Sequence, residues 1–348
     1  MRRRSFVSNT ALATLATLTA RTGLAADAKG AKPAKLATVA PDGTPWSDQL
    51  NEFKKRVEKV AGDRLKVETF IGGVLGDENV TANETKRGAI QLWGGSTGAL
   101  ATLIPELALF ELPYIFRTPE EADFVMDVVL YDDIKKLLNS RGLTMMFWAE
   151  NGYRSFGKNF GPVKTPAAFV GKKMRSQESE VHIEMYRALG ASPVPISVTE
   201  VLTALQTGVV DGFDNTPLFT FAASWHQGIK NGHYTLAEAI YQPGIVVANK
   251  DWFEKLPADI QKAFLEDQAG EAKRGREAVR MIGPELVANF EANKIKVHTL
   301  TEAEKDAMAK ACEPAHEKWL AGKGKSAATM VKKAKDAIAA HRAKKKTK

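Results

Sequence analysis

GKKMRSQESEVHIEMYRALGASPVPISVTEVLTALQTGVVDGFDNT, residues 171–216, reads as strand, helix, strand, helix, strand. The first strand runs out at Arg175. The apolar-periodic run to Leu189 is a helix closed by Gly190 as a left-handed stop. Pro193–Ile196 is a short apolar strand. Ser197 and Glu200 form an S-x-x-E capping box that opens a second helix ending at Gly208. Val209–Phe213 is the third strand, followed by Asp214, Asn215 and Thr216. Strands alternating with helices predict parallel pairing through right-handed crossovers. Ligands of such sheets bind beyond the carboxyl ends of the strands, where Arg175 and Asn215 both sit. A guanidinium there can grip a carboxylate with two parallel charge-assisted hydrogen bonds. The spacing accommodates equally well a surface arginine paired with Glu178 or Glu180.

The first half of the chain repeats the plan. Lys35–Ala40, Leu65–Phe70 and Ile90–Trp93 read as strands, with a helical apolar pattern over Trp46–Val60. Thr144–Ala149 reads as a buried strand crossing between domains, and Ile245–Asn249 as a later one. The predicted fold class is therefore α/β, with two lobes and a chain that passes between them more than once to make a hinged cleft. We divide the chain into residues 30–150 with about 242–278 as the first lobe, and 151–241 with about 279–325 as the second. Residues 326–348 form a Lys/Ala-rich basic tail expected to fray.

The net charge of +8 is concentrated at the two ends. Arg2, Arg3, Arg4 and Arg21 face no acid within residues 1–26, and residues 331–348 carry eight Lys/Arg against Asp336 alone. What lies between is mildly acidic, which argues against a nucleic-acid surface. Residues 1–28 read as an export signal, with arginines before the apolar run Ala11–Ala20 and small residues near Ala26 and Ala28. Arg3-Arg4-Ser5-Phe6-Val7 fits a twin-arginine signal as well as an ordinary secretory peptide. Ala11–Ala20 is too short to span a membrane, and no other stretch approaches that length. The single cysteine, Cys312, excludes an intrachain disulfide and reads as a packed small residue. None of the six histidines (His182, His226, His233, His298, His316, His341) has a metal-site spacing, and no catalytic triad or nucleotide loop appears. No metal, cofactor or catalytic residue is implied.

Several motifs together resemble the solute receptors of tripartite ATP-independent periplasmic (TRAP) transporters of the dicarboxylate-receptor type. They are G-K-K-M-R (171–175), A-L-G-A-S-P-V-P (188–195), E-V-L-T-A-L-Q-T-G-V-V-D-G (200–212) and Asn215, with P-D-G-T-P-W (41–46), G-G-V-L-G-D-E (72–78) and P-E-L-A-L-F-E-L-P-Y-I-F (105–116). The resemblance covers roughly Lys35 to Trp319. It implies a two-lobe periplasmic-binding-protein-like fold with a long helix spanning both lobes, for which Ala258–Asn293 is the candidate. It also implies a periplasmic receptor that captures a small organic acid and hands it to a membrane permease driven by an ion gradient.

By that resemblance Arg175 binds the solute carboxylate, Arg154 in N-G-Y-R (151–154) is a second cleft arginine, and Asn215 is the cleft asparagine. Ser96 and Thr97 belong to the Gly94–Gly98 loop, whose exposed backbone N–H groups suit an anion or a hydroxyl. Trp93 and Trp46 are candidate walls. After Arg175 many relatives read Val-Pro, whereas Ser176-Gln177-Glu178 follows here, and a Glu178 beside a carboxylate-binding arginine could compete with an anionic solute. Val198 and Leu202 stand where relatives often carry aromatics, and these changes put the usual dicarboxylate or sialic-acid ligands in doubt while a monocarboxylate remains reasonable. Two other readings use the same scaffold. An enzyme would need an acid/base pair, for which the sequence nominates only Glu178 or Asp214. A sensor-presenting receptor would keep the binding and change the partner.

Overall fold

The computed structural model describes residues 33–346; the predicted export signal lies outside the described residues. One sheet contains β1 (Ala34–Ala37), β2 (Val67–Phe70), β3 (Leu92–Ser96), β4 (Leu143–Lys158), β5 (Lys173–Ser176), β6 (Ser192–Pro195), β7 (Gly212–Asn215), β8 (His233–Asn249) and β9 (Lys296–Thr299). The order is β2-β1-β3-β8-β4-β7-β5-β6, with β9 beside the start of β8. As the alternation predicts, β1 is parallel to β2 and β3, and β5 is parallel to β6 and β7. These two parallel wings share a central antiparallel pair, β4 with β8, which also runs antiparallel to β3 and β7.

β4 and β8 are 16 and 17 residues long, far longer than the short runs at 144–149 and 245–249 predicted from the sequence. Gly152 at φ +94° and the Pro243-Gly244 pair read locally as breaks. Tertiary pairing overrides them by shifting register at Met145/Phe147, Glu150/Gly152 and Arg154/Phe156. Each shift bends and twists the ladder. The middle one falls where the wings meet.

Helices cover both faces of each wing, giving two apolar clusters per wing. Helix Pro45–Ala61 illustrates the local logic. Thr44 and Ser47 cap it reciprocally, Pro45 pre-sets the first turn, and Trp46, Leu50, Phe53 and Val57 bury at helical spacing.

Three expectations are corrected. The capping box at Ser197 and Glu200 does not form: Ser197 Oγ pairs with Thr199 Oγ1 at 3.0 Å, and a 3-10 turn, Val198–Glu200, precedes helix Val201–Gln206. A tertiary bond from the Val198 N–H to Asp77 Oδ1, 3.1 Å, holds this backbone instead. The spanning helix begins at Gln268, not Ala258, because Ala258–Leu265 stops at Glu266 and Asp267 turns the chain at φ +53°. Gln268–Met281 packs on β4 and on Pro45–Ala61. Gly283–Ala292 continues from it onto helix Pro217–Ala222 and β9, interrupted at Pro284, which has no N–H to donate. The basic tail is a helix, Lys325–Lys346, whose Ala327, Val331, Ala334 and Ile338 are buried against the 105–129 segment.

Candidate binding site

A cavity of about 420 Å³ of atom-free space, partly open to solvent, lies between the wings. The first wing contributes Thr38 and Ala40 after β1, Trp46, Glu78 and the end of β3 at Gly95-Ser96; the second contributes Arg175, Gln177, Val198, Asn215 and Phe219. Asn151, Arg154 and Gln242 come from the shared pair β4–β8.

Arg175 is 2% exposed. Its Nε and Nη2 both donate to the Ile196 carbonyl, at 3.0 and 2.7 Å, and its guanidinium lies 5.1 Å from the centre of the Trp225 ring. Among the described residues no carboxylate forms an ion pair with it. Burial, together with repulsion from Arg154, lowers its pKa to about 10. A guanidinium taken out of water without a counter-charge carries a desolvation cost that an anion would offset.

Arg154, also 2% exposed, is in the opposite condition. Its Nε donates to Asp214 Oδ2, its Nη2 to the Asp214 carbonyl, and its Nη1 to Asn215 Oδ1 at 3.2 Å and Gln242 Oε1 at 2.8 Å. Tyr186 donates to the other Asp214 oxygen at 2.8 Å. His182 joins Asp214 to Glu111: its Nδ1 is 3.4 Å from Asp214 Oδ2 and its Nε2 is 2.6 Å from Glu111 Oε2. Burial opposes ionisation of Asp214, but Arg154 and His182 hold it far below the usual carboxylate range. Burial alone would lower His182, yet the carboxylates of Asp214 and Glu111 beside it raise it. Asp214 is thus a locked counter-ion and a poor candidate for a general base.

Arg175, Arg154, Asn215 and Ser96 therefore line one cavity, and so does Trp46. Three other sequence candidates do not. Trp93 is fully buried in the first-wing core, its Nε1–H donating to Thr81 Oγ1 at 3.1 Å. Thr97 is buried behind the cavity with its hydroxyl on Glu111 Oε1, 2.7 Å. Glu178 is not part of the cavity lining and accepts from Asn79 Nδ2 at 2.7 Å, bridging the wings outside the cavity. The Gly94–Gly98 loop does present N–H groups, but the protein's own carboxylates take them: Ser96 N–H donates to Glu78 Oε1 at 2.8 Å, and Gly98 N–H donates to Glu111. A Cβ on Gly98 would stand 2.5 Å from Glu111 Oε2, so glycine is required for this contact.

Glu78, Gln177 and Gln242 were missed by sequence reasoning. Gln177 donates to Ser96 Oγ at 2.8 Å and accepts from Gln242 Nε2 at 2.9 Å. Only its place two residues after Arg175 hinted at a role. Burial pushes the Glu78 carboxyl up to about 7, against the hydrogen bonds from Ser96. No group of three or more metal-ligating side chains occurs among the described residues, and no helix there is long and apolar enough to cross a membrane.

Residues 36–323 match the bacterial extracellular solute-binding proteins, family 7. The chain belongs to this family. It is 34% identical over 248 residues to a solute-binding protein of Verminephrobacter eiseniae, covering 71% of this chain and 73% of that one. The C4-dicarboxylate-binding periplasmic protein of Rhodobacter capsulatus is 31% identical over 287 residues, covering 80% of this chain and 83% of the other. In structure, the chain superimposes with a TM-score of 0.81 on a sugar acid binding protein of Advenella mimigardefordensis in complex with galactonate; identity is 26%, with 88% and 98% of the two chains covered. The α/β two-lobe fold expected from the sequence is that of the TRAP periplasmic solute-binding proteins among its structural neighbours. Family 7 members bind solutes for transport, so binding rather than turnover is the activity of the family 7 receptor described here.

Proposed function

We propose that this receptor captures a small organic carboxylate in the cavity between the wings, with Arg175 as the cation that receives it, and delivers it to a TRAP permease across the periplasm. The reading is supported above all by a buried arginine that lines the cavity without a protein carboxylate. Arg154, Asn215 and Ser96 line the same space as hydrogen-bonding and positioning groups. The relatives' solutes, a C4-dicarboxylate and galactonate, are both carboxylates. We retain residues 30–150 with about 242–278, and 151–241 with about 279–325, as the two lobes that close on the solute. Asn79 with Glu178, Ser96 with Gln177 and Asp77 with Val198 are then contacts made on closure. The predicted export signal would carry the chain to the compartment where the permease is reached.

Calorimetry against a library of organic acids tests this. The wild type is expected to bind at least one carboxylate, and Arg175→Ala to lose about 2–5 kcal/mol of that affinity while remaining folded. Arg175→Lys should also weaken binding, because an ammonium cannot reproduce the planar fork. An Arg175→Ala protein that binds as the wild type does would remove Arg175 from the site.

A further inference from the structure

Beyond a carboxylate in general, we infer that Glu78 makes this site select monocarboxylates bearing a hydroxyl at the end remote from Arg175, and reject diacids of the same chain length. The inference rests on the carboxylate reading above and specifies which carboxylates fit it.

The charged side chains lining the cavity are Glu78, Arg154 and Arg175. Arg154 is neutralised by Asp214. One cation, Arg175, is therefore available to a solute, and it sits on the wing opposite Glu78. A solute carboxylate on Arg175 leaves the rest of the molecule to reach toward the first wing, where Glu78 is the one acid in the lining. Among the described residues no cation pairs with Glu78. Its Oε1 accepts from Ser96 N–H at 2.8 Å; its Oε2 accepts from Ser96 Oγ at 3.1 Å and from Gln177 Nε2 at 3.4 Å.

A carboxylate oxygen has about two lone-pair sites, so Oε1 can accept one more donor. A solute hydroxyl supplies it. A Cβ at Gly95 would meet the Trp93 ring at 2.2 Å and Glu78 Oε1 at 2.9 Å, so glycine at this position lets the carboxylate and the indole pack against the strand. A second solute carboxylate would meet the reverse condition. It would be stripped of water with no cation to receive it and a like charge opposite, an arrangement that rejects a ligand rather than merely failing to attract it. Burial also holds the Glu78 carboxyl near neutrality in its titration, so its proton can donate to a hydroxyl oxygen when it is not ionised.

The test uses matched pairs that differ by oxidation of the terminal CH₂OH to a carboxylate: D-galactonate with galactarate, and D-erythronate with meso-tartrate. Calorimetry on the wild type at pH 8 should give at least about tenfold tighter binding of the monoacid in any pair that binds, since like charges opposed in a dry site cost several kcal/mol. In Glu78→Gln, which keeps the shape and removes the charge, the diacid should gain and the ratio should fall toward one. A wild type that binds both members of a pair equally overturns the role of Glu78 while leaving Arg175 in place. So does a ratio that persists in Glu78→Gln. Binding of either acid that survives Arg175→Ala unchanged overturns the carboxylate reading itself.

Discussion

Arg154 and Arg175 share a cavity wall yet do different work, and the difference lies in their neighbours. Arg154 has its N–H groups committed to Asp214, Asn215 and Gln242, and it braces the β4–β7 pairing. Arg175 gives two N–H groups to one carbonyl and keeps the rest of its fork. Glu78 carries the clearest titration consequence. Its carboxyl is raised to about 7 in the folded protein, so the folded state holds the proton more tightly than the unfolded chain, whose glutamates titrate near about 4.3. The associated stability is present in full below the unfolded value and is lost as the pH rises through about 7. Replacing Glu78 by Gln should therefore help the fold more at pH 8 than at pH 5, by up to about 3 kcal/mol in urea unfolding. A wild-type-to-variant difference that is flat with pH would show that Glu78 ionises freely.

Among the elements, the C-terminal helix Lys325–Lys346 lies beyond the family match, which ends at 323, and is built into the first-wing core. Arg342 holds Glu121 with two bonds of 2.8 Å, and Lys333 pairs with Asp133 at 2.8 Å. Ile338→Ala should cost about 2–5 kcal/mol of stability, measured by chemical denaturation, as for other buried isoleucines. A loss within about 0.5 kcal/mol, the range of surface substitutions, would mean that the helix is only loosely docked. The spacing of Ala327, Val331, Ala334 and Ile338 was legible as one helix face. The lysines between them masked it, because composition suggests solvation while periodicity suggests packing. The opposite error occurred at Ser197, where a good local capping motif lost to a contact from the other wing.

At the scale of the molecule, the contacts by which the wings meet include Gln177 on Ser96, Val198 on Asp77 and Asn79 on Glu178. With the proposed solute contacts drawn from both wings, solute should favour the arrangement in which these bonds exist. Small-angle scattering should then record a smaller radius of gyration on adding a bound monoacid, with Gln177→Ala less compact than the wild type before addition. Equal radii in all four states would argue for a rigid cavity. The alternation of strands and helices, the parallel wings and the placement of Arg175 and Asn215 at strand ends followed from the sequence, because periodicity and glycine stops are local signals. Which arginine stays without a counter-charge, where Glu178 turns, and that Glu78 faces the cavity were decided only by the tertiary structure. Charge pairing and burial there depend on groups such as Glu78, Ser96 and Gln177, separated by up to 99 residues in the chain.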